Sequence, residues 1–466
     1  METQAVSTTS PTARPSHVVP AERKAHGKGR RDAVARSEHA SWRALADRAD
    51  PIGILRAADA TREKDLVPLR YGRMLQSPFT FYRGSAGVMA ADLARTPVSG
   101  INVQVCGDCH LMNFGGFATP ERRLLFDIND LDETLPAPWE WDVKRLVASF
   151  VRAARANGLR DADGRDAAVA CARFYRSKMR DFAAMDVLDI WYARLDDSDF
   201  LAMLPDDRKA VVRKRIAKAT ARSSSELVYP KLVKGSGAQT RIHDTPPTIF
   251  HADASRAAGD LEMIRGSLPK YRKTLAEDRR VLFDRYRLVD AAIKVVGIGS
   301  VGTLCMVALM MSVADNPLFL QIKQANESVL EAYAGKSAYA QHGERVVQGQ
   351  RLMQPSSDLF LGWAIGPEGR HFYIRQLRDV KLSPLVETYD AAMLSIYAQA
   401  CGWVLARAHA KAGDPWAISG YLGRKSDQFD QAMGKFALAY ADQAERDHAA
   451  LQAAVRAGIV EVQLEH

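Results

Sequence analysis

Between Lys294 and Asp315 the chain runs for twenty residues without a charge, VVGIGSVGTLCMVALMMSVA. As a single helix, a stretch of this length spans a bilayer. Three glycines, Gly297, Gly299 and Gly302, fall in its first half among β-branched residues. Glycine costs a helix stability and frees the backbone for a sharp turn, so the stretch reads instead as two buried strands joined by a glycine loop. Strands are therefore expected at 291–297 and 303–313, with another at 318–323. A further pair, 358–365 and 371–378, flanks GPEG, a good hairpin turn.

Helical patterning surrounds this block. Residues 41–98 read as mostly helical, with SPFTFYRG (77–84) as an aromatic loop, and 139–158 and 162–221 follow, rich in Ala, Arg and Leu. Helices are also expected over 327–353, 387–412 and 426–456. Short strands are expected at 101–106 and in RLLFDI (123–128), and a turn-rich break over 222–256 contains KGSGAQ and DTPPTIFHAD. No internal repeat is found. The class is α+β, a small antiparallel sheet unit set between helical portions. Its parts are a basic tail at 1–40, a helical portion at 41–230, a strand-rich portion at 231–385 and closing helices at 386–466.

At 466 residues, two or three domains are expected. The net charge of +9 is uneven: residues 1–40 hold seven Lys/Arg against four Asp/Glu, and residues 206–222 hold seven against two. The first stretch reads as a disordered tail and the second as the solvated face of a helix. No nucleic-acid-binding signature accompanies them, so such a partner is not expected. Five scattered cysteines, Cys106, Cys109, Cys171, Cys305 and Cys401, fit reduced thiols. The opening METQAVSTTSPTARPSHVVP has no apolar core of a secretory signal, and a cytoplasmic protein without a membrane anchor is expected.

Cys106 to His110, CGDCH, matches the C-x-x-C-H of c-type haem attachment. That attachment is expected outside the cytoplasm, and the longer GDCHLMN suits another chemistry. Phosphoryl transfer needs a group to orient or deprotonate the nucleophile, and oxygen ligands for Mg²⁺. Asp108 is the candidate base and Asn113 a metal ligand five residues later. Asp127, at the end of the second strand of an expected hairpin, is the main metal carboxylate. Asp130 and Asp132 either add metal ligands or populate an exposed turn. His110 is expected to support the loop by hydrogen bonding, with Cys106 and Cys109 as bystanders; a thiol-redox pair is the alternative.

Gly297 to Gly302 is G-x-G-x-x-G. The dinucleotide version opens into a helix, whereas strand–loop–strand is the kinase form, in which the loop covers ATP phosphates. Gly297, Gly299, Ser300 and Gly302 are the phosphate-binding candidates. LFLQIKQA places Lys323 in an apolar strand, like the kinase V-A-I-K lysine, and a buried lysine needs a partner. Glu327, Glu331 and Glu344 are candidates for it, Glu331 preferred. Arg83, and Arg375 or Arg378, are candidates for binding acceptor or phosphate, or for salt bridges between lobes.

GDCHLMN followed by a strand ending in Asp resembles the catalytic and metal-binding loops of aminoglycoside and choline phosphotransferases, in the protein-kinase-like superfamily. PAPWEWDVKRL (136–146) resembles the helix start of that group, which implies that Asp142 braces the catalytic loop. The resemblance implies a two-lobed kinase-like fold using ATP and Mg²⁺ on a hydroxyl acceptor. Sugar, small alcohol, lipid head group and protein hydroxyl all suit such machinery. Here the catalytic segment precedes the glycine loop, so the implied fold is a circular permutation. Its hinge would be Gln376 to Asp379, with Gln376 beside the nucleotide. Over about residues 45–455 the chain resembles the bacterial family called domain of unknown function 2252, on SPFTFYRG, GDCHLMNFG, FDINDLDE, VGIGSVGT, FLQIKQA, RVVQGQRLMQ, FYIRQLRD and YADQAERD. Two rival readings are a nucleotide-binding regulator without catalysis, and a phosphate- or RNA-binding protein using the basic helix.

Overall fold

Helix α1 (Pro20–Gly29) opens the computed structural model, which describes residues 18–220, 232–234, 240–252, 254–377 and 380–465. Residues 1–17 of the expected tail, nearly all of KGSGAQ, and Arg378 with Asp379 of the expected hinge lie outside the described residues. The tail expectation is corrected for 18–40. After α1, Arg31 and Arg36 donate to the carbonyls of Tyr421 and Leu422, each at 2.7 Å. Those carbonyls end the helix Pro415–Leu422 and have no partner within it, so the basic residues are drawn onto a helix C-terminus.

Next come α2 (Pro51–Ala57), α3 (Val67–Leu75), α4 (Pro78–Gly84) and α5 (Ala86–Leu93). SPFTFYRG is thus a helix, not an aromatic loop. Ser77 accepts from the Thr80 N–H at 3.0 Å, Thr80 Oγ1 accepts from the Ser77 N–H at 2.9 Å, and Pro78 occupies the first turn. A reciprocal cap with proline behind it starts a helix whatever follows.

Strand β1 (Asn102–Val105) pairs with β4 (Leu135–Pro138), and between them β2 (Phe114–Ala118) and β3 (Leu124–Ile128) form an antiparallel hairpin. Helix α6 (Trp139–Ala156) leaves β4 directly and packs with α7 (Asp161–Phe182) and the helices Ala391–Ala412 and Gln428–Arg456. The core here is aromatic at its centre, with Trp139 stacked on Tyr175 at 5.5 Å. The helix expected over 162–221 breaks into α7 and three shorter pieces, Val187–Tyr192, Asp197–Ala202 and Asp206–Thr220. Each piece restarts with acidic residues in its first turn, where they favour the helix dipole.

A short antiparallel pair, β5 (Val233–Lys234) and β6 (Arg241–Ile242), precedes a second sheet of six strands. These are β7 (Ile249–Phe250), β8 (Tyr286–Lys294), β9 (Cys305–Ser312), β10 (Pro317–Gln324), β11 (Gly362–Ile365) and β12 (His371–Gln376), antiparallel throughout and in the order β11-β12-β10-β9-β8-β7. The twenty uncharged residues are the glycine loop and β9. Among the described residues no helix is long and apolar enough to cross a membrane. The helix Ala254–Thr274 covers one sheet face through Ile264 and Tyr271. On the opposite face His342–Met353 packs Val346 and Val347 against Tyr373. The expected helical run 327–353 is only Glu331–Ala334 and His342–Met353, separated by Gly335 at φ +97°.

Candidate active site

A cleft of ≈ 620 Å³ lies where the glycine loop, the segment after β1, the turn after β3 and the helices α2 to α5 converge. Asp108, His110, Asn113, Asp130, Asp132, Gly297, Gly299 and Ser300 all line it. Residues almost two hundred positions apart are thereby brought to one wall.

The segment after β1 is fixed from below. Asp142, in the first turn of α6, accepts from the N–H of Cys106 at 2.6 Å and of Gly107 at 2.9 Å. His409 stands 3.1 Å from the same carboxylate and is itself 2.9 Å from Tyr175 Oη. Gly107 turns at φ +86°, where a Cβ would lie 2.4 Å from the Glu133 carbonyl oxygen, so only glycine fits. The turn presents Asp108 to the cleft. Arg145, one helical turn beyond Asp142, donates through Nε to Asp108 Oδ1 at 2.7 Å and through Nη2 to the Tyr82 carbonyl at 3.0 Å. Asn113 Nδ2 donates to the Asp108 carbonyl at 2.7 Å, which leaves its amide oxygen as the atom able to take a cation.

His110 differs from expectation. Its imidazole is buried, Nε2 is 3.8 Å from Asp108, and Nδ1 has no hydrogen-bond partner among the described residues. Burial pushes its pKa down to about 4, so the ring is neutral at pH 7 and packs rather than donating to the loop's carboxylates. Cys106 and Cys109 are fully buried, and burial raises the Cys109 thiol well above its ordinary value.

Asp127, the expected metal carboxylate, does not line the cleft. It sits in β3 opposite Gly115, is fully buried, and pairs with Arg407 of the helix Ala391–Ala412. Its other oxygen accepts its own neighbour's N–H, from Ile128, at 2.7 Å. Both oxygens are engaged within the protein. The turn after β3 places its carboxylates in the cleft. Asp130 Oδ2 lies 3.5 Å from Lys323 Nζ, and Oδ1 is buried with no hydrogen-bond partner among the described residues. Asp132 pairs with Lys323 and accepts from Tyr373 Oη at 2.6 Å.

Lys323 is 2% exposed and opposes Cys305 on β9 and Tyr373 on β12. Burial alone would lower its pKa, but Asp130 and Asp132 hold it well above the ordinary value, so it stays charged. Burial raises the Asp130 carboxyl, and Lys323 with Arg375 more than offset this and hold it below the ordinary range. The lysine's partners are therefore these aspartates and not Glu331. Glu331 accepts from the N–H of Ser328 at 3.2 Å and of Ser337 at 3.1 Å, tying a loop together. Helix His342–Met353 sends an arginine inward rather than a glutamate: Arg345 donates to the carbonyls of Thr134, Asp132 and Asn326 at 2.7, 2.9 and 2.9 Å.

The glycine loop is pinned by the N-terminal helices. Glu63 N–H donates to the Gly302 carbonyl at 2.7 Å, Arg62 to that of Val301 at 2.5 Å, and Arg73 to that of Gly297 at 2.7 Å. Gly302, at φ +88°, packs on the Arg62 side chain and so stands behind the cleft wall. Gln376 is away from this cleft. Its N–H donates to Asp358 at 2.9 Å, and with Arg375 it lines a separate cavity of ≈ 280 Å³. Arg375 is occupied by Gln321 at 3.0 Å and the Asn129 carbonyl at 3.2 Å. Arg145 and Arg345 were missed in the sequence; the only signal was Arg145 three residues after Asp142 on a helix.

Among the described residues no three His, Cys, Asp or Glu side chains stand together as a ready metal site. Mg²⁺ in phosphoryl transfer takes one or two carboxylates and completes its shell with substrate phosphates. Asp130, with a buried oxygen lacking a partner among the described residues, and Asn113, beside it at the same end of the β2–β3 hairpin, fit that use.

Among models of known protein families, the one described as uncharacterized protein conserved in bacteria (DUF2252) matches residues 62–454. No curated protein and no solved structure matches the chain.

Proposed function

The chain belongs to the DUF2252 family, and from that premise we propose that it is an ATP- and Mg²⁺-dependent phosphotransferase of kinase-like, lobe-permuted fold, acting on a hydroxyl acceptor. One observation carries the reading: Asp130 and Asp132, held by the buried Lys323 behind them, share a cleft with a glycine loop and with Asp108. The sheet supports it. A glycine loop joins β8 to β9, β10 brings the lysine, a helix follows, and the hairpin β11–β12 closes the unit. That is the kinase succession of glycine loop, lysine strand and inward helix. Its displacement to the C-terminal side of the Asp108 segment is what permutation produces.

Each side chain then has a task. Asp108, steered by Arg145, takes the acceptor's proton as the acceptor oxygen bonds the transferred phosphorus and ADP leaves. Lys323 and the backbone from Gly297 to Ser300 hold nucleotide phosphates. Asn113 and Asp130 would hold Mg²⁺, which would neutralise phosphate charge. Asp142 positions the loop without touching substrate. Glu331 keeps a structural task and Asp127 an architectural one.

Calorimetry of ATP with Mg²⁺ tests this. Metal-dependent binding to the wild type is expected, weakened at least tenfold by Asp130→Asn and by Lys323→Met. A well-folded wild type that takes up no nucleotide at millimolar ATP sinks the proposal. Binding without turnover of any acceptor selects the non-catalytic regulator.

A further inference from the structure

Three arginines enter the cleft from the N-terminal helices, and they are not equivalent. Arg70 donates to Asp59 at 2.9 Å and to the Gly84 carbonyl at 3.3 Å. Arg62 is spent on the Val301 carbonyl and stands 3.8 Å from Asp59. Arg83, in the last turn of α4, lines the same cleft but has no hydrogen bond or ion pair among the described residues, and its Nε is buried. Arg83 is half-buried, with Asp108 the one charge that offsets the burial, and a charge withdrawn from water is costly to leave without a hydrogen-bonded partner.

Its location says which partner. Arg145 grips both the Tyr82 carbonyl and the Asp108 carboxylate, so the residue after Tyr82 is held beside the candidate base. A base acts within hydrogen-bond reach of the proton it takes, so an anion on Arg83 belongs to the molecule that presents its hydroxyl to Asp108. Lys323 stands on the sheet side, at the proposed nucleotide, and the glycine loop reaches from there to α4, with Gly299 lying against the Arg83 carbonyl. Ile54, Leu55, Ala58 and Ala86 close the wall near Arg83. The volume of ≈ 620 Å³ is that of a small-molecule pocket, within the roughly 300–1,000 Å³ such pockets occupy.

We propose that the acceptor is a small hydroxylated molecule bearing a phosphate or carboxylate, and that Arg83 binds this anionic group beside Asp108. The guanidinium fork suits both groups, which it meets bidentately. Burial pushes the Arg83 guanidinium below its ordinary pKa and Asp108 partly offsets this, in keeping with a charge that awaits an anion. The inference rests on the phosphotransferase reading of the cleft.

The test is calorimetric titration of the full chain with inorganic phosphate, and separately with acetate, with and without saturating Mg²⁺ and a non-hydrolysable ATP analogue. Phosphate is expected to bind alongside the analogue, to weaken at least tenfold in Arg83→Gln and to recover partly in Arg83→Lys. Nucleotide affinity is expected to stay within twofold in both variants. Acetate binding in place of phosphate would select a carboxylate-bearing acceptor. Displacement of phosphate by the analogue in the wild type would overturn the proposal, since Arg83 would then serve the donor, and this result needs no variant to fold. Phosphate affinity indifferent to Arg83, or no uptake of either anion, would also overturn it. If the analogue itself fails to bind, the phosphotransferase reading falls, while Arg83-dependent phosphate binding would still establish the anion site.

Discussion

Asp127 and Asp130 stand three residues apart in FDIND, and each meets a buried cation, yet the two pairs have opposite surroundings. Asp127 and Arg407 are both fully buried, and Arg407 also donates to the Met353 carbonyl. That pair is sealed between the hairpin and the helix Ala391–Ala412. Lys323 is as deeply placed, but Asp130 and Asp132 open onto the cleft with side chains 34% and 26% exposed. The closed pair is architecture, even with Arg407 Nε left without a partner among the described residues. The pair that opens onto the cleft is the one the proposed binding role uses.

The largest expected effect breaks the closed pair. Asp127→Ala strands the Arg407 charge and is expected to cost about 3–5 kcal/mol in denaturant unfolding. A loss below about 1 kcal/mol would erase the contrast between the two aspartates. For the same reason, lost nucleotide binding in that variant says nothing about metal ligation.

Acid sharpens the contrast at the cleft. The folded pKa of His110 is depressed to about 4, so the unfolded chain binds the proton first. Stability from this residue is full above roughly pH 6.5 and is lost as pH falls toward 4, amounting to about 3 kcal/mol. In His110→Asn, unfolding followed at pH 7 and pH 4 should lose that share of the pH dependence. An unchanged profile would place the titration elsewhere.

Asp142→Ala removes the acceptor from two loop N–H groups and is expected to cost ~2 kcal/mol. Hydrogen exchange at Cys106 and Gly107 should accelerate with it; exchange no faster than in the wild type would deny Asp142 its role as brace. Asp130→Asn should move global stability by less than about 1 kcal/mol while lowering Mg²⁺–ATP affinity at least tenfold, ~1.4 kcal/mol. The reverse pattern would make Asp130 a second Asp127. Gln376→Ala closes the series at under about 0.5 kcal/mol, with nucleotide affinity intact, because the Gln376 contact to Asp358 is through the main chain.

The strand–glycine loop–strand block was legible because its signals are local: a charge-free run, glycines at its turn, and a third strand close behind. Helix α4 departs from the expected aromatic loop although its cap is in plain view as Ser77, Pro78 and Thr80, because Phe79, Phe81 and Tyr82 mask the helical signal. Asp108 and Asn113 reach one cleft with the glycine loop, as their types and spacing lead one to expect. That Asp130 reaches it and Asp127 does not has no local signal. Strand residues alternate faces, and which face is sealed here depends on Arg407, 280 residues away. Lys323 was assigned a glutamate from the helix that follows it, whereas its partner Asp132 lies 191 residues earlier.

By itself, then, the sequence determined an α+β chain with a glycine-loop sheet and a polar loop rich in Asp, His and Asn, since turns, caps and periodicity act over a few residues. Only the tertiary structure decided which charges are spent and which are left open. A buried ion pair is chosen by what the fold brings together, and the cost of leaving a charge unpaired is set by burial, which no local pattern encodes. That is why Asp127 closes, Asp130 opens, and Arg83 stands beside Asp108 without a partner among the described residues.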